Sequence, residues 1–215
     1  MQRYFQQKAL DLPKRDRTRA LLMDGLICVN AETGIDALTV QQITRATGLA
    51  QGTFYNHFED REDLVVHTAQ SLLLQVHDVV LDRCRELSPG LQRMLIAVDA
   101  TIDAAIEIPA HGKLLSDASG RFPQLADPIR KTIREDFSAG RRDNHIRVSP
   151  SRLLDQQIGA LLGVSMRLRL EQPELRSVNR DTCRAVARLV GQTPDEAVAS
   201  VAAALKYSRA KLSTR

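Results

Sequence analysis

Hydrophobic residues recur every three or four positions along most of the chain, which is the spacing of one face of an α-helix. The segment from Thr18 to Thr33 shows the pattern clearly, and Gly34 marks its end. The apolar side chains of this segment include Leu21, Leu22, Leu26 and Val29. The same spacing predicts three further helices, over 39–47, 51–57 and 61 to about 87.

The rest of the chain is predicted to be helical as well. The pattern indicates helices over 89–107, 111–119, 124–139, 150–171, 179–191 and 194 to about 211. Three of them begin where a capping residue precedes proline, at Ser88–Pro89, Ser149–Pro150 and Thr193–Pro194. The composition agrees, since three Tyr, five Phe and no Trp are too few aromatics for a typical strand-built fold. The predicted fold class is therefore all-α.

The second and third predicted helices are too short to be stable alone in water, where about 12 to 15 residues are needed. They must therefore pack on the first helix. Two short helices joined by the turn Gly48-Leu49-Ala50 have the outline of a helix-turn-helix. Periodicity alone leaves a generic helical bundle open as the alternative.

Two runs of sequence make the outline more specific. Residues 38–43 read LTVQQI, residues 48–58 read GLAQGTFYNHF, and a basic residue, Arg61, follows three positions after Phe58. Residues 17–64 thereby resemble the DNA-binding region of the tetracycline-repressor (TetR) family of bacterial regulators. The resemblance implies a basic flexible arm over 1–16, a helix-turn-helix domain over 17–60, and a helical ligand-binding and dimerisation domain over 61–215.

The resemblance also implies which side chains touch DNA. Base-edge contacts are expected from Gln51, Thr53 and Asn56, because a side-chain amide can read adenine and a threonine methyl can meet a thymine methyl. Phosphate contacts, which fix the register without reading sequence, are expected from a second set. That set is Arg17, Thr39, Gly52, Tyr55, His57 and Arg61.

Four residues of this region, and the distribution of its charge, allow other interpretations or differ from the family pattern. His57 can be an ordinary surface histidine, and Arg61, where the family usually has Lys, can be the partner of the carboxylates around it. Asn30 and Thr44 stand where the family usually has a bulky apolar residue and Ala. The clearest excess of positive charge lies in residues 1–19, which hold six basic and two acidic side chains.

The segments 150–171 and 179–191 resemble the dimer interface of this family, in which two helices from each subunit form a four-helix bundle. Gly159 and Gly163 are four residues apart and would permit close helix approach, since glycine inside a helix otherwise costs about 1 kcal/mol against alanine. The predicted interface is Ile158, Gly159, Leu162, Gly163, Val186 and Val190. A core within one chain is the alternative.

The signal for a ligand pocket is weaker. On segment 91–107, Asp99 and Asp103 lie one turn apart beside Ile96, and Phe122 and Phe137 are the nearest later aromatics. These five residues are the predicted pocket, with a solvated acidic face as the alternative. The shortage of aromatics favours a small or aliphatic ligand.

Several classes of protein are disfavoured. The three cysteines are far apart and show no metal-site spacing, and His111 and His145 lack partners, so neither a metal nor another cofactor is predicted. No motif of a hydrolase, a nucleotide-binding enzyme or a metalloprotease is present. The N-terminus lacks a signal sequence, and the longest uncharged run is short for a membrane span. We therefore expect a cytoplasmic, homodimeric repressor that binds an inverted repeat in double-stranded DNA and responds to an unknown small-molecule effector. A DNA-binding factor without an effector and a helical-bundle enzyme or carrier are the alternatives.

Overall fold

The structure is a computed structural model that describes residues 4–212, and over this range the chain forms helices and no strands. The first five helices are α1 (Tyr4–Lys8), α2 (Lys14–Thr33), α3 (Val40–Thr47), α4 (Gln51–Tyr55) and α5 (Arg61–Arg83). The next three are α6 (Leu91–Glu107), α7 (Pro109–Ala118) and α8 (Arg130–Arg142), with a single 3₁₀ turn over Asp127–Ile129 before α8. The last three are α9 (Arg152–Glu171), α10 (Ser177–Leu189) and α11 (Pro194–Leu212). The predicted all-α fold is confirmed.

Helices α2, α3 and α4 form the helix-turn-helix unit, and its core is completely buried. Its side chains are Leu22, Leu26, Leu38, Ile43, Phe54, Phe58 and Leu64. Gly25 lets α2 and α3 approach closely, because a Cβ atom at this position would collide with the side chain of Thr47. The two short helices are therefore held by tertiary packing, α3 on α2 and α4 on α3, as their length requires.

Helix α5 joins the helix-turn-helix to the rest of the chain and packs on α2, α6 and α7. In residues 4–212 it is the one helix whose length and composition would allow a membrane crossing, with a mean hydropathy of 1.3 and 33% of the relevant window buried. A core helix of a soluble protein meets the same criterion. Leu64, Val65 and Ala69 are buried in the protein core, which accounts for much of this apolar character.

Helix α6 lies at the centre of the larger helical part, in contact with α5, α7, α8, α9, α10 and α11. Leu95, Ile96 and Ile102 on α6 are fully buried. The second part of the protein is thus one helical bundle built around α6.

Two of the three predicted Ser/Thr–Pro helix starts are wrong. Helix α6 begins at Leu91 after Gly90, whose backbone N–H donates to Asp136 Oδ1 at 2.8 Å. Helix α9 begins at Arg152, and its cap is Ser151, whose Oγ accepts from the N–H of Leu154 at 3.1 Å. Only α11 starts at its predicted proline.

The N-terminal segment differs from the flexible arm expected over 1–16. Residues Tyr4–Lys8 form α1, and Phe5 in this helix is buried. The backbone N–H groups of Phe5 and Gln6 donate to the two carboxylate oxygens of Asp24 on α2, at 2.8 and 2.9 Å. This arrangement ties α1 to the first helix of the helix-turn-helix.

Candidate nucleic-acid interface

Helix α4 presents a buried side and an exposed side. Phe54 is 0% exposed and lies 6.0 Å, between ring centroids, from the equally buried Phe58. The neighbouring Tyr55 is 59% exposed, with its ring edge-on to Phe54 at 5.3 Å. The two phenylalanines anchor the short helix and leave the phenol of Tyr55 pointing away from the core.

The three predicted base-reading residues are brought together on and just after α4. Gln51 and Asn56 are exposed, and Thr53 is half-buried. The helix is shorter than the predicted 51–57, because Asn56 is its C-cap, with its N–H bonded to Gly52 O at 3.3 Å. Gly52 is exposed, and a Cβ atom there would meet nothing within 4 Å. The backbone at Gly52 is therefore open to close approach from outside.

The N-terminus of α3 is fixed by a reciprocal cap. Thr39 Oγ1 accepts from the N–H of Gln42 at 3.2 Å, and the N–H of Thr39 donates to Gln42 Oε1 at 2.8 Å. This confirms the capping role of Thr39. Gln42 was missed, although a Thr followed by Gln three residues later is the sequence signature of such a capping box.

A second positioning residue, Arg19 on α2, has no such signature. Its Nη1 donates to the carbonyl oxygen of His57 at 2.9 Å, and its guanidinium carbon lies 4.3 Å from the centroid of the Phe58 ring. Arg19 therefore fastens the segment that follows α4 to α2. Only the three-dimensional structure brings these residues together, since 38 positions separate Arg19 from His57.

The ionisable phosphate candidates have different surroundings. Burial is the main reason why the pKa of His57 is lowered, and the charges of Arg15 and Arg19 lower it further. Arg61 turns one side of its guanidinium toward the loop before α3, where Nη1 donates to Leu38 O at 3.0 Å. Arg17 is exposed. His57 thus offers a neutral imidazole, and Arg61 orders the loop that leads to Thr39.

The two departures from the family pattern are buried polar residues. Asn30 is fully buried, and its Nδ2 lies 3.4 Å from Asp117 Oδ2 on α7. Thr44 is also buried and donates from Oγ1 to Gln41 O at 3.2 Å. Asn30 therefore gives the helix-turn-helix a polar contact with the effector-side helix α7.

Four of the six predicted dimer residues serve packing within one chain instead. Val186 and Val190 are both 0% exposed, so they cannot reach a second copy. Gly159 and Gly163 face the C-terminal end of α7, where a Cβ at Gly163 would lie 3.0 Å from Ser116 O. The small residues permit close helix approach as predicted, but the neighbour is α7. Ile158 and Leu162 are half-buried and stay a prediction.

An exposed apolar stripe lies elsewhere on α9. Leu153 is 68% exposed, Val164 54% and Leu168 37%. Their spacing of eleven and four residues places them on one face of the helix. Large exposed apolar residues in a row are typical of a surface that another protein covers.

None of the five predicted pocket residues lines the cavity described below, and their role in ligand binding stays a prediction. Asp99 and Asp103 receive hydrogen bonds from Asn179 Nδ2 at 3.0 and 2.9 Å, and Arg169 Nε donates to Asn179 Oδ1 at 3.1 Å. Burial is the main cause that raises the pKa of Asp99. The two carboxylates are therefore engaged in a network between helices. Ile96 and Phe137 are buried, and neither they nor the half-buried Phe122 line the cavity described next.

A cavity of about 180 Å³ lies between α1, α5, α6 and α7. Its lining is Tyr4, Leu72, Gln75, Val76, Val79, Arg83, Ala100, Ala104, Glu107, Ile108, His111 and Leu115. Helix α5 contributes to the lining of this cavity. It begins at Arg61, five residues after Asn56, which is the C-cap of α4. One helix thus connects the cavity with the segment that presents the DNA-reading candidates.

Comparison with known proteins agrees with this geometry. Residues 26–68 match the family model described as bacterial regulatory proteins, tetR family. The transcriptional repressor DhaR of a Mycobacterium species is 26% identical over 156 residues, which is 66% of this chain and 77% of DhaR. The transcriptional regulator BetI of an Escherichia coli strain is 33% identical over 89 residues, which is 40% of this chain and 45% of BetI.

Solved structures share the fold over most of the chain. RolR in complex with resorcinol has a TM-score of 0.67 and 22% identity, and the match covers 87% of this chain and 94% of RolR. The fatty acid degradation regulator FadR from Bacillus halodurans has a TM-score of 0.54 and 17% identity, covering 81% and 95% of the two chains. Residues 26–68 thus form a DNA-binding region of the TetR family of bacterial regulatory proteins, and the chain is a DNA-binding transcriptional regulator with an N-terminal helix-turn-helix and a helical second domain.

Proposed function

We propose that this protein is a cytoplasmic homodimeric repressor that reads an inverted-repeat operator with α4 and leaves it when a small molecule binds the second domain. The observation that carries the proposal is the two-sidedness of α4. Phe54 and Phe58 are buried, while Gln51, Tyr55 and Asn56 are exposed on a segment of helical width. Such a segment fits the major groove, where each base pair presents a distinct pattern of donors and acceptors.

Sequence would be read by the two amides and one methyl group. Gln51 and Asn56 can each pair with N6 and N7 of adenine, and the methyl of Thr53 can meet that of thymine. Each good bidentate pair discriminates against a wrong base by about 1–3 kcal/mol. We assign these three residues to the base edges.

Phosphate contacts would fix how α4 enters the groove. The first N–H groups of a helix have no partner inside the helix, so the capped N-terminus of α3 at Thr39 suits an anion. Gly52 leaves its backbone accessible, and the exposed Tyr55 and Arg17 can reach outward. His57 would take part as a neutral donor, and Arg61 through Nη2, which lies 3.8 Å from Glu62 Oε1 in the protein without DNA. We assign all six residues to phosphate.

The repressor would act as a dimer, because two recognition helices must meet two half-sites about 34 to 36 Å apart. The exposed stripe Leu153, Val164 and Leu168 on α9 supports a contact between copies on this face. Burial of such residues is favourable by about 25 cal/mol for each Å² of apolar surface. We assign this stripe to the dimer contact, and the half-buried Ile158 and Leu162, which lie on another side of α9, remain further candidates.

The cavity beside α5 supports the response to an effector. An effector that prefers one position of α5 shifts the population toward that position and so changes the spacing of the two α4 segments. DhaR is named a repressor, and the RolR structure contains resorcinol, which agrees with a ligand-controlled repressor of this fold. The cavity favours this function over that of a DNA-binding factor without an effector.

Selection of bound fragments from the DNA around the protein's own gene tests the proposal. The enriched fragments should share an inverted repeat, and the purified protein should bind it as a dimer with nanomolar affinity that random duplex competes poorly. Equal competition by random DNA of the same length would overturn sequence-specific regulation. Retention of the specific complex by a variant that lacks the side chains of both Gln51 and Asn56 would overturn the assignment of α4.

A further inference from the structure

One residue that lines the cavity comes from the N-terminal segment of the chain. Eleven of its lining residues lie on or next to α5, α6 and α7, but Tyr4 belongs to α1, which precedes the helix-turn-helix. The phenol of Tyr4 donates to Gln75 Oε1 on α5, and its ring packs edge-on against His111 on α7, with 4.5 Å between centroids. A residue from the N-terminal segment thus occupies the polar side of the cavity.

The next two residues of α1 hold the DNA-binding domain. The N–H groups of Phe5 and Gln6 both donate to the carboxylate of Asp24 on α2, and Asp24 is 1% exposed. A buried carboxylate that loses two of its donors is destabilised. Three consecutive residues therefore bind the cavity on one side and the first helix of the helix-turn-helix on the other.

Helix α1 has five residues and cannot persist through its own hydrogen bonds. It is held by tertiary contacts at both ends: Tyr4 on Gln75 and His111, and the backbone of Phe5 and Gln6 on Asp24. The buried side chain of Phe5 adds to these contacts, so removal of the Tyr4 contacts leaves Phe5 and the two bonds to Asp24 to hold a helix that has no internal stability. Occupancy of the cavity and order at Asp24 are thus physically linked.

The lining also limits what can bind. Gln75 and Tyr4 offer neutral donors and acceptors, and Lys8 Nζ donates to the Tyr4 hydroxyl at 2.8 Å from the exposed side. Burial is the main cause that lowers the pKa of His111, with Lys8 adding to it. Arg83 and Glu107 carry opposite charges, and the remaining wall is apolar. A dry apolar cavity of about 150 Å³ holds benzene, so about 180 Å³ fits one ring with a small substituent. A long acyl chain is too large.

We propose that α1 is a strap that transmits occupancy of this cavity to the DNA-binding domain, and that the occupant is a neutral single-ring molecule whose hydroxyl replaces that of Tyr4 on Gln75. The inference rests on the proposed function, because it specifies the effector class and the route by which the effector acts. In this scheme the ligand displaces Tyr4, α1 loosens, and Asp24 loses the donors from Phe5 and Gln6. Helix α2, whose first turns are basic, then loses a constraint at Asp24 near its middle.

The ligand arm of the test titrates the full-length protein with phenol, with benzene and decanoate as comparison probes, by calorimetry. Phenol should bind at least tenfold more tightly than benzene, and decanoate should not bind. Gln75→Leu should weaken phenol at least tenfold, whereas Gln70→Leu, on the same helix but outside the cavity, should not. Tyr4→Phe should strengthen phenol binding, because the ligand no longer competes with the tyrosine hydroxyl. Absence of phenol binding, or equal binding to the Gln75→Leu variant, overturns the ligand class and site.

The strap arm measures hydrogen exchange at the N–H groups of Phe5 and Gln6 by NMR on the same protein. Saturating phenol should speed exchange at both positions at least tenfold and leave the core amide of Leu26 unchanged. Unchanged or slower exchange at Phe5 and Gln6 with phenol bound overturns the strap. Tyr4→Ala should speed the exchange at Phe5 and Gln6 without ligand. An unchanged exchange rate in that variant also overturns the strap.

Neither arm contains DNA, so failure of the strap and failure of the proposed function are distinguishable. If the protein binds phenol and α1 loosens but no operator is selected, the proposed function is wrong and the strap proposal stands. A protein that selects an operator and releases it without a change at Phe5 and Gln6 keeps the proposed function and loses the strap.

Discussion

Arg19 on α2 donates from Nη1 to the carbonyl oxygen of His57 at 2.9 Å and covers the ring of Phe58. Through this pair the first helix of the DNA-binding domain holds the end of the recognition segment. Arg17, two residues earlier on the same helix, is exposed, and its Nη1 lies 3.5 Å from Leu10 O. The two arginines can therefore be tested separately, Arg19 as a positioning residue and Arg17 as a proposed phosphate contact.

Arg19→Ala should lower the free energy of unfolding by about 1–2 kcal/mol, through the lost hydrogen bond and cation–π contact. It should weaken operator binding without a change in the slope of log K against log salt, because no phosphate contact is removed. Arg17→Ala, its matched control, should leave stability unchanged and reduce that slope by about 0.9. Denaturant unfolding and binding titrations from 50 to 200 mM salt measure both. An equal change of slope in the two variants would contradict the division of roles.

Gly52→Ala should raise stability and lower DNA affinity. Alanine is favoured over glycine inside a helix by about 1 kcal/mol, and the structure leaves the space around a Cβ at position 52 empty. In the complex that space is assigned to the DNA backbone, so we expect at least tenfold weaker binding to all sequences. A thermal melt measures the stability, and binding curves on operator and random duplex measure the affinity. Higher stability with unchanged affinity would remove Gly52 from the phosphate contacts.

The half-buried His67 and the buried His111 should make stability fall in mild acid. The pKa of His67 and that of His111 are lowered mainly by burial, with Arg19 contributing to the first and Lys8 to the second. The unfolded chain therefore takes up protons near pH 6.5 that the folded chain still excludes, so stability is present above pH 6.5 and is lost as the pH falls toward the folded-state values. Urea unfolding at pH 7.5, 6.5 and 5.5 measures the decline. The decline should be smaller in His111→Gln, and an identical decline would exclude His111 as a source.

The helix-turn-helix could be predicted because its signals are local. Thr39, Gly48 and the spacing of Phe54 and Phe58 define caps and a buried face within a few residues. The start of α6 could not be predicted, because it depends on a hydrogen bond from the Gly90 N–H to Asp136, which is 46 positions away. Helix α1 escaped prediction for the same reason, because Asp24 and Gln75 hold it from a distance.

The candidate sites show the same limit. The base-reading and phosphate candidates follow from the resemblance to a family. The structure places Gln51, Gly52, Thr53, Tyr55, Asn56 and His57 on one segment, and Arg17, Thr39 and Arg61 on other helices or at their ends. The small residues Gly159 and Gly163 correctly indicate close helix packing, but periodicity cannot say whether the neighbour is α7 or a second chain. Val186 and Val190 likewise lie on a buried face whose partner, the rest of the same bundle, only tertiary structure reveals.

The exposed stripe on α9 makes the final prediction. Val164→Asp places a charge in the centre of the proposed dimer contact, where an unpaired buried charge costs several kcal/mol. The variant should sediment as a monomer at micromolar concentration and fold normally, because Val164 is 54% exposed within one chain. Operator affinity should fall by at least a hundredfold, since each half-site is then bound separately. Leu81→Asp on α5, at a residue 38% exposed and outside the stripe, is the control and should remain dimeric. A dimeric Val164→Asp variant that still binds its operator would move the contact between copies to another face of the bundle.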